Sequence, residues 1–123
     1  AEAIDHRKAH DPLPPPSAET VEFGRHLAGI CTGCHRPGLN GGPISFGPPS
    51  WPPAGNLTPH ESGLKGWTYA DFEKLVTTGT RKSGAIVRDP MVRVIPFSVN
   101  TTETERKALW AYLQSLPPTP TGK

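Results

Sequence analysis

Apolar and small residues recur at three- and four-residue spacing in the first third of the chain. The pattern runs from Val21 to Cys31, and two glutamates stand near its start, where negative charge suits a helix dipole. It predicts a first helix over about residues 19–32, which leads directly into the first of two cysteines.

Two later stretches combine the same periodicity with signals for the start of a helix. Thr68 with Asp71 resembles a capping box in which Asp replaces Glu, and Thr102 with Glu105 forms a capping box proper. The predicted helices run over about 69–78 and 102–116. No alternating strand pattern is present, so the fold is predicted to be all-α.

The segments around these helices are rich in Pro and Gly. Residues 36–67 form a long connection, which is expected in a compact domain only if it wraps around something. Residues 1–18, which contain a run of three prolines, are predicted to be an extended arm. Residues 118–123 are expected to form a flexible tail, which leaves 19–117 as the domain.

The composition narrows the class of protein. The 123 residues suffice for one domain, and a hydrophobic content of 34% leaves little side chain for its core. No apolar run approaches the roughly 18 residues of a membrane span. A formal net charge of +2 is too small and too mixed for nucleic-acid binding. Something other than side chains is therefore expected to fill the middle of the domain.

One motif carries chemistry. Cys31-Thr-Gly-Cys34-His35 has the form of the attachment signature of a c-type haem. Two thiols on one turn can each form a thioether with a vinyl group of the porphyrin, and the adjacent imidazole then reaches the iron. One covalent haem is the predicted cofactor, with the long loops wrapped around it.

Three other uses of the motif compete with haem. A disulfide between Cys31 and Cys34 would close a very small loop and leave His35 without a role. A thioredoxin-like redox pair requires a βαβ context, which the sequence lacks. A zinc site would need His26 or His60 because the usual second half-site is missing.

The opposite face of the iron requires a second ligand. Met91 is the only methionine, and we predict that its thioether sulfur binds there. His60 is the main rival, whereas His26 lies in the helix that delivers the proximal ligand and cannot easily reach the other face. His6 and His10 in the arm are expected to be solvated.

Together these residues resemble a class I cytochrome c. The resemblance covers roughly 19–117 and rests on the first helix, the haem motif, Met91 and the last helix. It implies that the first and last helices cross closely, with Gly24 of one against Tyr112 or Trp110 of the other.

A closer resemblance is to the cytochrome subunits and domains that accept electrons from periplasmic dehydrogenases. Many of those proteins carry three haem motifs in tandem, whereas this sequence carries one. The segments that match the family, in its order, are Asn56-Leu-Thr-Pro59, Gly66-Trp-Thr-Tyr-Ala-Asp71-Phe72, Met91 and Ala111-Tyr-Leu-Gln-Ser-Leu-Pro117.

This resemblance assigns roles to residues around the haem. Trp67 would donate its indole N–H to a haem propionate. The carbonyl of Pro43 would accept a hydrogen bond from Nδ1 of His35 and so fix the ring. Asn56 and Thr58 would order the loop on the propionate side.

The resulting prediction is a single-electron carrier rather than an enzyme. With His35 and Met91 bound to the iron, no coordination position is open to a substrate. One alternative is a dedicated cytochrome subunit or domain of a larger dehydrogenase complex. A second alternative, a ligand-binding or catalytic haem protein, would require a labile sixth ligand.

The same reasoning predicts partners and location. Redox proteins with acidic docking surfaces are the expected partners, because basic residues cluster around the predicted methionine ligand. These residues are Arg81, Lys82, Arg88 and Arg93. Thioether attachment of haem takes place outside the bacterial cytoplasm, so a periplasmic protein that has lost its signal peptide is expected.

Overall fold

The computed structural model describes residues 15–123. The predicted arm lies outside the described residues apart from its last four positions, and so do His6 and His10. The helical elements, in chain order, are α1 (Val21–Ala28), a 3-10 turn (Gly29–Cys31), α2 (Thr32–His35), α3 (Tyr69–Thr78), a second 3-10 turn (Met91–Arg93), α4 (Ile95–Ser98) and α5 (Glu103–Ser115). Within this range there is no β-strand, which confirms the all-α prediction.

The second and third predicted helices, α3 and α5, agree closely with their sequence signals. The Thr68 hydroxyl accepts from the Asp71 N–H at 3.2 Å, and Asp71 Oδ2 accepts in return from the Thr68 N–H at 2.9 Å. Thr102 and Glu105 pair in the same way at 3.1 and 2.7 Å. At the far end of α3, Gly79 adopts a φ of 76°, a left-handed conformation that ends the helix.

The first predicted helix, 19–32, is divided in the structure. Thr20 caps α1 by accepting from the Phe23 N–H at 3.2 Å, but the chain tightens into a 3-10 turn at Gly29 before α2 begins. Glycine favours the helix poorly, and the Thr32 hydroxyl donates to the Gly29 carbonyl at 2.8 Å. The packed part of this segment is thereby separated from the part that carries the cysteines.

The helices α1 and α5 cross at Gly24. A methyl group at this position would run into the backbone carbonyl of Ala108 and would lie 2.8 Å from Cβ of Tyr112. The predicted contact of Gly24 with Tyr112 is thus confirmed. Trp110 instead packs on Phe72 of α3, with ring centroids 5.3 Å apart. The crossing joins the two ends of the domain.

The buried apolar core is small, as the composition predicts. It draws on α1, α3, α5 and the loops, and its members are Ala28, Leu39, Leu64, Phe72, Val76 and Leu113. Ile30 and Phe97 are large apolar residues that remain 87% and 77% exposed. None of the helices in residues 15–123 combines the length and the apolarity needed to cross a membrane.

Candidate haem-binding site

The two cysteines lie on consecutive turns where the first 3-10 turn passes into α2. Cys31 and Cys34 are both half-buried, and both are free thiols. Burial raises the pKa of Cys31, and the neighbouring Cys34 raises it further. Cys31 is therefore held as a neutral thiol beside its partner.

His35 ends α2 and is oriented by one backbone group. Its Nδ1 lies 2.7 Å from the carbonyl oxygen of Gly55. A carbonyl can only accept, so Nδ1 carries the proton and the lone pair of the neutral ring stands on Nε2. Burial lowers the pKa of His35, although the hydrogen bond to Gly55 opposes that shift. We call the contact between Nδ1 and Gly55 the proximal hydrogen bond.

The prediction that Pro43 accepts from His35 is wrong. The Pro43 carbonyl accepts instead from Arg36 Nη2 at 3.0 Å. Gly42 and Ala54 exchange two backbone hydrogen bonds, each of 2.9 Å. This pairing brings the carbonyl of the residue after Ala54, rather than that of Pro43, within hydrogen-bond distance of Nδ1 of His35.

Asn56 and Thr58 follow Gly55 and form a buried polar cluster. Asn56 is 5% exposed and Thr58 is fully buried. Asn56 Oδ1 accepts from both the N–H and the hydroxyl of Thr58, at 2.9 and 2.8 Å. The two residues therefore fix the turn that leaves Gly55.

The prediction of a flexible tail at 118–123 is also wrong. Asn56 Nδ2 donates to the Thr119 carbonyl at 2.8 Å, and the Thr119 N–H donates to Thr58 Oγ1 at 3.1 Å. Asn40 Nδ2 adds a bond to the carbonyl of Pro120 at 2.9 Å. These contacts satisfy backbone groups of the tail that no helix or strand would satisfy, and so they hold it against the loop.

Trp67 lies just before α3 and is half-buried against the core. It lines a depression of about 470 Å³ together with Gly63 and three residues of the following basic loop, Arg81, Lys82 and Ser83. Lys82 is anchored there, because its Nζ donates to the Gly66 carbonyl at 2.7 Å. The predicted propionate partner thus stands beside positive charge.

Met91 opens the second 3-10 turn and is half-buried. Its carbonyl accepts from the Val94 N–H at 2.9 Å, which closes that turn. Arg93, in the same turn, pairs with Asp89 at 3.2 Å. Met91 and Trp67 belong to segments separate from the cysteine turn, whereas His35 contacts Gly55 directly and Asn56 and Thr58 follow Gly55 in the same loop.

The residues that sequence reasoning missed are Gly55 and Arg36. Gly55 acts through its carbonyl, a group that every residue has, so no side-chain signal marks it. Arg36 directly follows the motif and adopts a φ of 73°, which turns the chain away from α2. A charged residue at the end of the motif was the only available hint.

The structure bears on the competing uses of the cysteine motif. Cys31 and Cys34 are not joined by a disulfide. Among residues 15–123 no three or more His, Cys, Asp or Glu side chains gather into a cluster that could hold a metal ion, and no βαβ unit is present. His60 Nδ1 lies 2.8 Å from the Ser62 hydroxyl, in the loop that follows Thr58.

The sequence from residue 21 to residue 117 matches the cytochrome c family. This match covers well over half of the chain, and the chain therefore belongs to the cytochrome c family. It is a class I c-type cytochrome, a class of electron-transfer protein that carries covalently bound haem c. The predicted fold, cofactor and general activity are confirmed.

One curated relative is similar over most of this chain. The gluconate 2-dehydrogenase cytochrome c subunit of Pantoea cypripedii is 33% identical in an alignment 103 residues long, which covers 75% of this chain and 22% of that protein. The chain thus spans about a fifth of the length of that relative. The predicted resemblance to dehydrogenase cytochromes is confirmed at this level.

The residues of the site fit a haem. Two free cysteines stand three residues apart, and His35 presents a lone pair on Nε2 while the Gly55 carbonyl pairs with the other ring nitrogen. Ile30, the residue before the first cysteine, is 87% exposed and offers apolar surface for a porphyrin to cover. Donor chemistry and local polarity agree with the cofactor of the family.

Proposed function

We propose that this protein is a single-electron carrier with a His/Met-ligated haem. Cys31 and Cys34 would form the two thioethers, and His35 and Met91 would be the axial ligands. The observation that carries the proposal is the proximal hydrogen bond of 2.7 Å, because it orients the imidazole of the Cys-x-x-Cys-His turn and leaves Nε2 for a metal.

When bound, the haem supplies the Fe(III)/Fe(II) couple that carries the electron. His35 contributes a strong nitrogen donor, whose basicity rises with its hydrogen bond to Gly55. Met91 contributes a weaker thioether donor, which favours ferrous iron and raises the reduction potential relative to a second imidazole. Two strong-field protein ligands leave no open position, which suits electron transfer rather than substrate binding.

The remaining predicted residues would serve the propionate side. Trp67 would donate its indole N–H to a propionate, and the anchored Lys82 supports this placement by adding positive charge to the same depression. Asn56 and Thr58 would order the adjoining loop through the bonds they already make to each other.

Partners would be redox proteins that present acidic surfaces. Arg81, Lys82, Arg88 and Arg93 are all exposed in the segment around Met91. A basic rim of this kind steers an acidic partner into a short-lived complex and speeds the encounter. Electron-transfer rates with such a partner should fall as the salt concentration rises, and rates that are independent of ionic strength would contradict this docking role.

The relative favours a second candidate, in which the chain is a cytochrome subunit or domain of a larger dehydrogenase. The similarity to a gluconate 2-dehydrogenase cytochrome c subunit supports a periplasmic setting and a dehydrogenase as electron donor. Co-migration with a sugar-acid dehydrogenase in size-exclusion chromatography would favour the subunit, and migration alone at the mass of one chain would favour the free carrier.

The cofactor is tested by the mass of the purified protein and the spectrum of its reduced pyridine adduct. We expect one haem added to the polypeptide mass and the adduct spectrum of a haem attached by two thioethers. A colourless protein with the bare polypeptide mass and two titratable thiols would overturn the proposal.

The sixth ligand is tested with Met91→Ala and the matched variant His60→Ala. Loss of the thioether sulfur should abolish the weak red absorption band that reports a bond between methionine and ferric iron, whereas His60→Ala should leave the band intact. If the band survives in Met91→Ala, methionine is not the ligand, and its loss in His60→Ala would point to the histidine loop.

A further inference from the structure

Residues 119–123 form a strap against the loop that holds His35. Side chains of the loop reach backbone or hydroxyl groups of the strap at five positions, which are Arg36, Asn40, Asn56, Thr58 and Ser62. The strap has no helix or strand of its own, so these side chains satisfy its backbone. The 119–123 strap is therefore built into the domain and is not an appendage to it.

Two of these contacts lie directly beside the proximal hydrogen bond. Arg36 is the neighbour of the donor residue, and its Nη2 donates to the Lys123 carbonyl at 3.0 Å. Asn56 is the neighbour of the acceptor residue, and its Nδ2 donates to the Thr119 carbonyl at 2.8 Å. The strap is thus tied to the residue that follows each partner of that bond.

Thr58 reinforces the contact between Asn56 and Thr119. Its hydroxyl oxygen accepts from the Thr119 N–H at 3.1 Å and donates to Asn56 Oδ1 at 2.8 Å. Thr58 is fully buried, and Asn56 is 5% exposed. Hydrogen bonds between buried groups are costly to break because water does not replace them, so this is the most resistant part of the strap contact.

The backbone of the strap also lies close to the pairing that delivers Gly55. A methyl group on Gly42 would stand 2.6 Å from the carbonyl oxygen of Gly122. Gly42 is paired with Ala54, the residue before Gly55. Strap and loop therefore meet at a glycine where no side chain could be inserted between them.

We propose that the 119–123 strap fixes the proximal hydrogen bond, with Asn56 and Thr58 as positioning residues that act on His35 through Gly55. This inference rests on the proposed function, in which His35 binds the iron. The strap would hold the Gly55 carbonyl in place at Nδ1, and the ring would keep both its orientation and its basicity. Its effect would fall on the electronic state of the iron and not on the basic docking rim.

The test uses the haem-bearing protein with two disruptive variants and two matched variants. Thr58→Val keeps the shape of the buried side chain and removes its hydroxyl, whereas Thr58→Ser keeps the hydroxyl. A chain that ends at Pro118 removes the strap as a whole. Thr102→Ala removes the cap of α5, a helix of 13 residues, so it weakens the fold at the helix end that lies roughly 20 Å from the end leading to the strap.

Two quantities are measured in each variant: the exchange rate of the His35 Nδ1 proton with solvent, by NMR of the reduced protein, and the reduction potential. In Thr58→Val and in the shortened chain we expect the proton to exchange roughly tenfold faster. The potential should rise, because an imidazole with a weaker hydrogen bond donates less to ferric iron. Thr58→Ser should restore both values.

The control separates positioning from general stability. Thr102→Ala should lower the melting temperature without changing the exchange of the ring proton or the potential. If Thr58→Val and the shortened chain lose stability but match Thr102→Ala in both readouts, the strap is only structural. A protein without haem would overturn the proposed function. In that case, slow exchange of the Thr119 N–H that is lost in Thr58→Val would still establish the strap contact, although not its action on the iron.

Discussion

The helix crossing and the loop that carries Gly55 are held together in different ways. At the crossing, Gly24 of α1 allows the backbone of α5 to approach at Ala108, and Cβ of Tyr112 lies beside the same glycine. In the loop, the side chain of Asn56 joins two backbone segments through hydrogen bonds to the Thr58 N–H and to the Thr119 carbonyl. One region depends on shape, and the other depends on polar pairing.

The difference follows from where backbone groups find their partners. A helix satisfies its own N–H and C=O groups, so two helices need only complementary surfaces to pack. An irregular loop rich in Pro and Gly has no such ladder, and each buried backbone group must find a side chain or a distant segment. Polar residues are therefore buried beside His35, while apolar and small residues are buried at the crossing.

The largest expected effect is that of Gly24→Ala at the helix crossing. A single methyl group there meets a backbone carbonyl that cannot rotate away, and the two helices must move apart. We expect a loss of about 3 kcal/mol in the free energy of unfolding, measured in urea with the haem-bearing protein. Reduced yield of the folded protein would accompany it.

Gly29→Ala is the matched control for that variant. Gly29 is exposed, and a methyl group on it would have no neighbour within 4 Å. Because alanine favours helical backbone more than glycine does, this variant should be as stable as the parent or slightly more stable. Equal losses in the two variants would mean that the crossing does not depend on close approach at Gly24.

A smaller effect is expected from Asn56→Ala in the loop. The change leaves the buried Thr58 N–H without its acceptor and removes one of the two donors to the Thr119 carbonyl, and we expect a loss of about 2 kcal/mol in the free energy of unfolding. The control is Asn100→Ala, which removes an exposed bond of 3.2 Å to the Pro96 carbonyl. Its expected cost is within about 0.5 kcal/mol.

A similar cost for both asparagine variants would contradict the distinction between the two regions. It would mean that the polar cluster contributes no more than an exposed side-chain bond, and that the loop is held by its apolar members, such as Leu39 and Leu64. Measuring both variants in the same urea series makes the comparison direct, because each removes one amide side chain.

The helical half of the molecule was accessible from the sequence because its signals are local. A capping box lies within four residues, and apolar periodicity lies within about ten, so α3 and α5 were predicted nearly to the residue. The close contact of Gly24 with Tyr112 came from the resemblance to class I cytochromes. The division of the first helix at Gly29 depends on a single weak helix former and was missed.

The loop contacts could not be predicted because they join residues far apart in the sequence and use backbone atoms. The acceptor for His35 is separated from it by 20 positions in the chain. The backbone pairing of Gly42 with Ala54 determines which carbonyl lies at Nδ1 of His35. Pro43 was the nearer choice in sequence and was wrong. The sequence of the 119–123 strap predicts flexibility because Pro and Thr give no helix signal. Its partners, the buried Asn56 and Thr58, lie more than 60 positions earlier in the chain.

The smallest expected effect tests whether burial, rather than polarity alone, gives the Asn56 cluster its weight. Asp71 makes the same kind of bond, a side-chain oxygen accepting from the Thr68 N–H at 2.9 Å, but at an exposed helix start. This backbone hydrogen bond holds the pKa of Asp71 below its ordinary value, with help from the Thr68 side chain and Lys82. A carboxyl whose pKa is lowered in the folded protein stabilises the fold above its unfolded pKa of about 3.9. That stability is lost as the pH falls through the lowered value.

Asp71→Asn should therefore have a slightly lower melting temperature than the parent at neutral pH, and the gap should close below about pH 4. Glu61→Gln removes a carboxylate from an exposed turn and controls for net charge. A gap that is independent of pH would mean that the charge of Asp71 does not stabilise the helix start, and a loss as large as that of Asn56→Ala would mean that burial does not decide the weight of a polar contact in this fold.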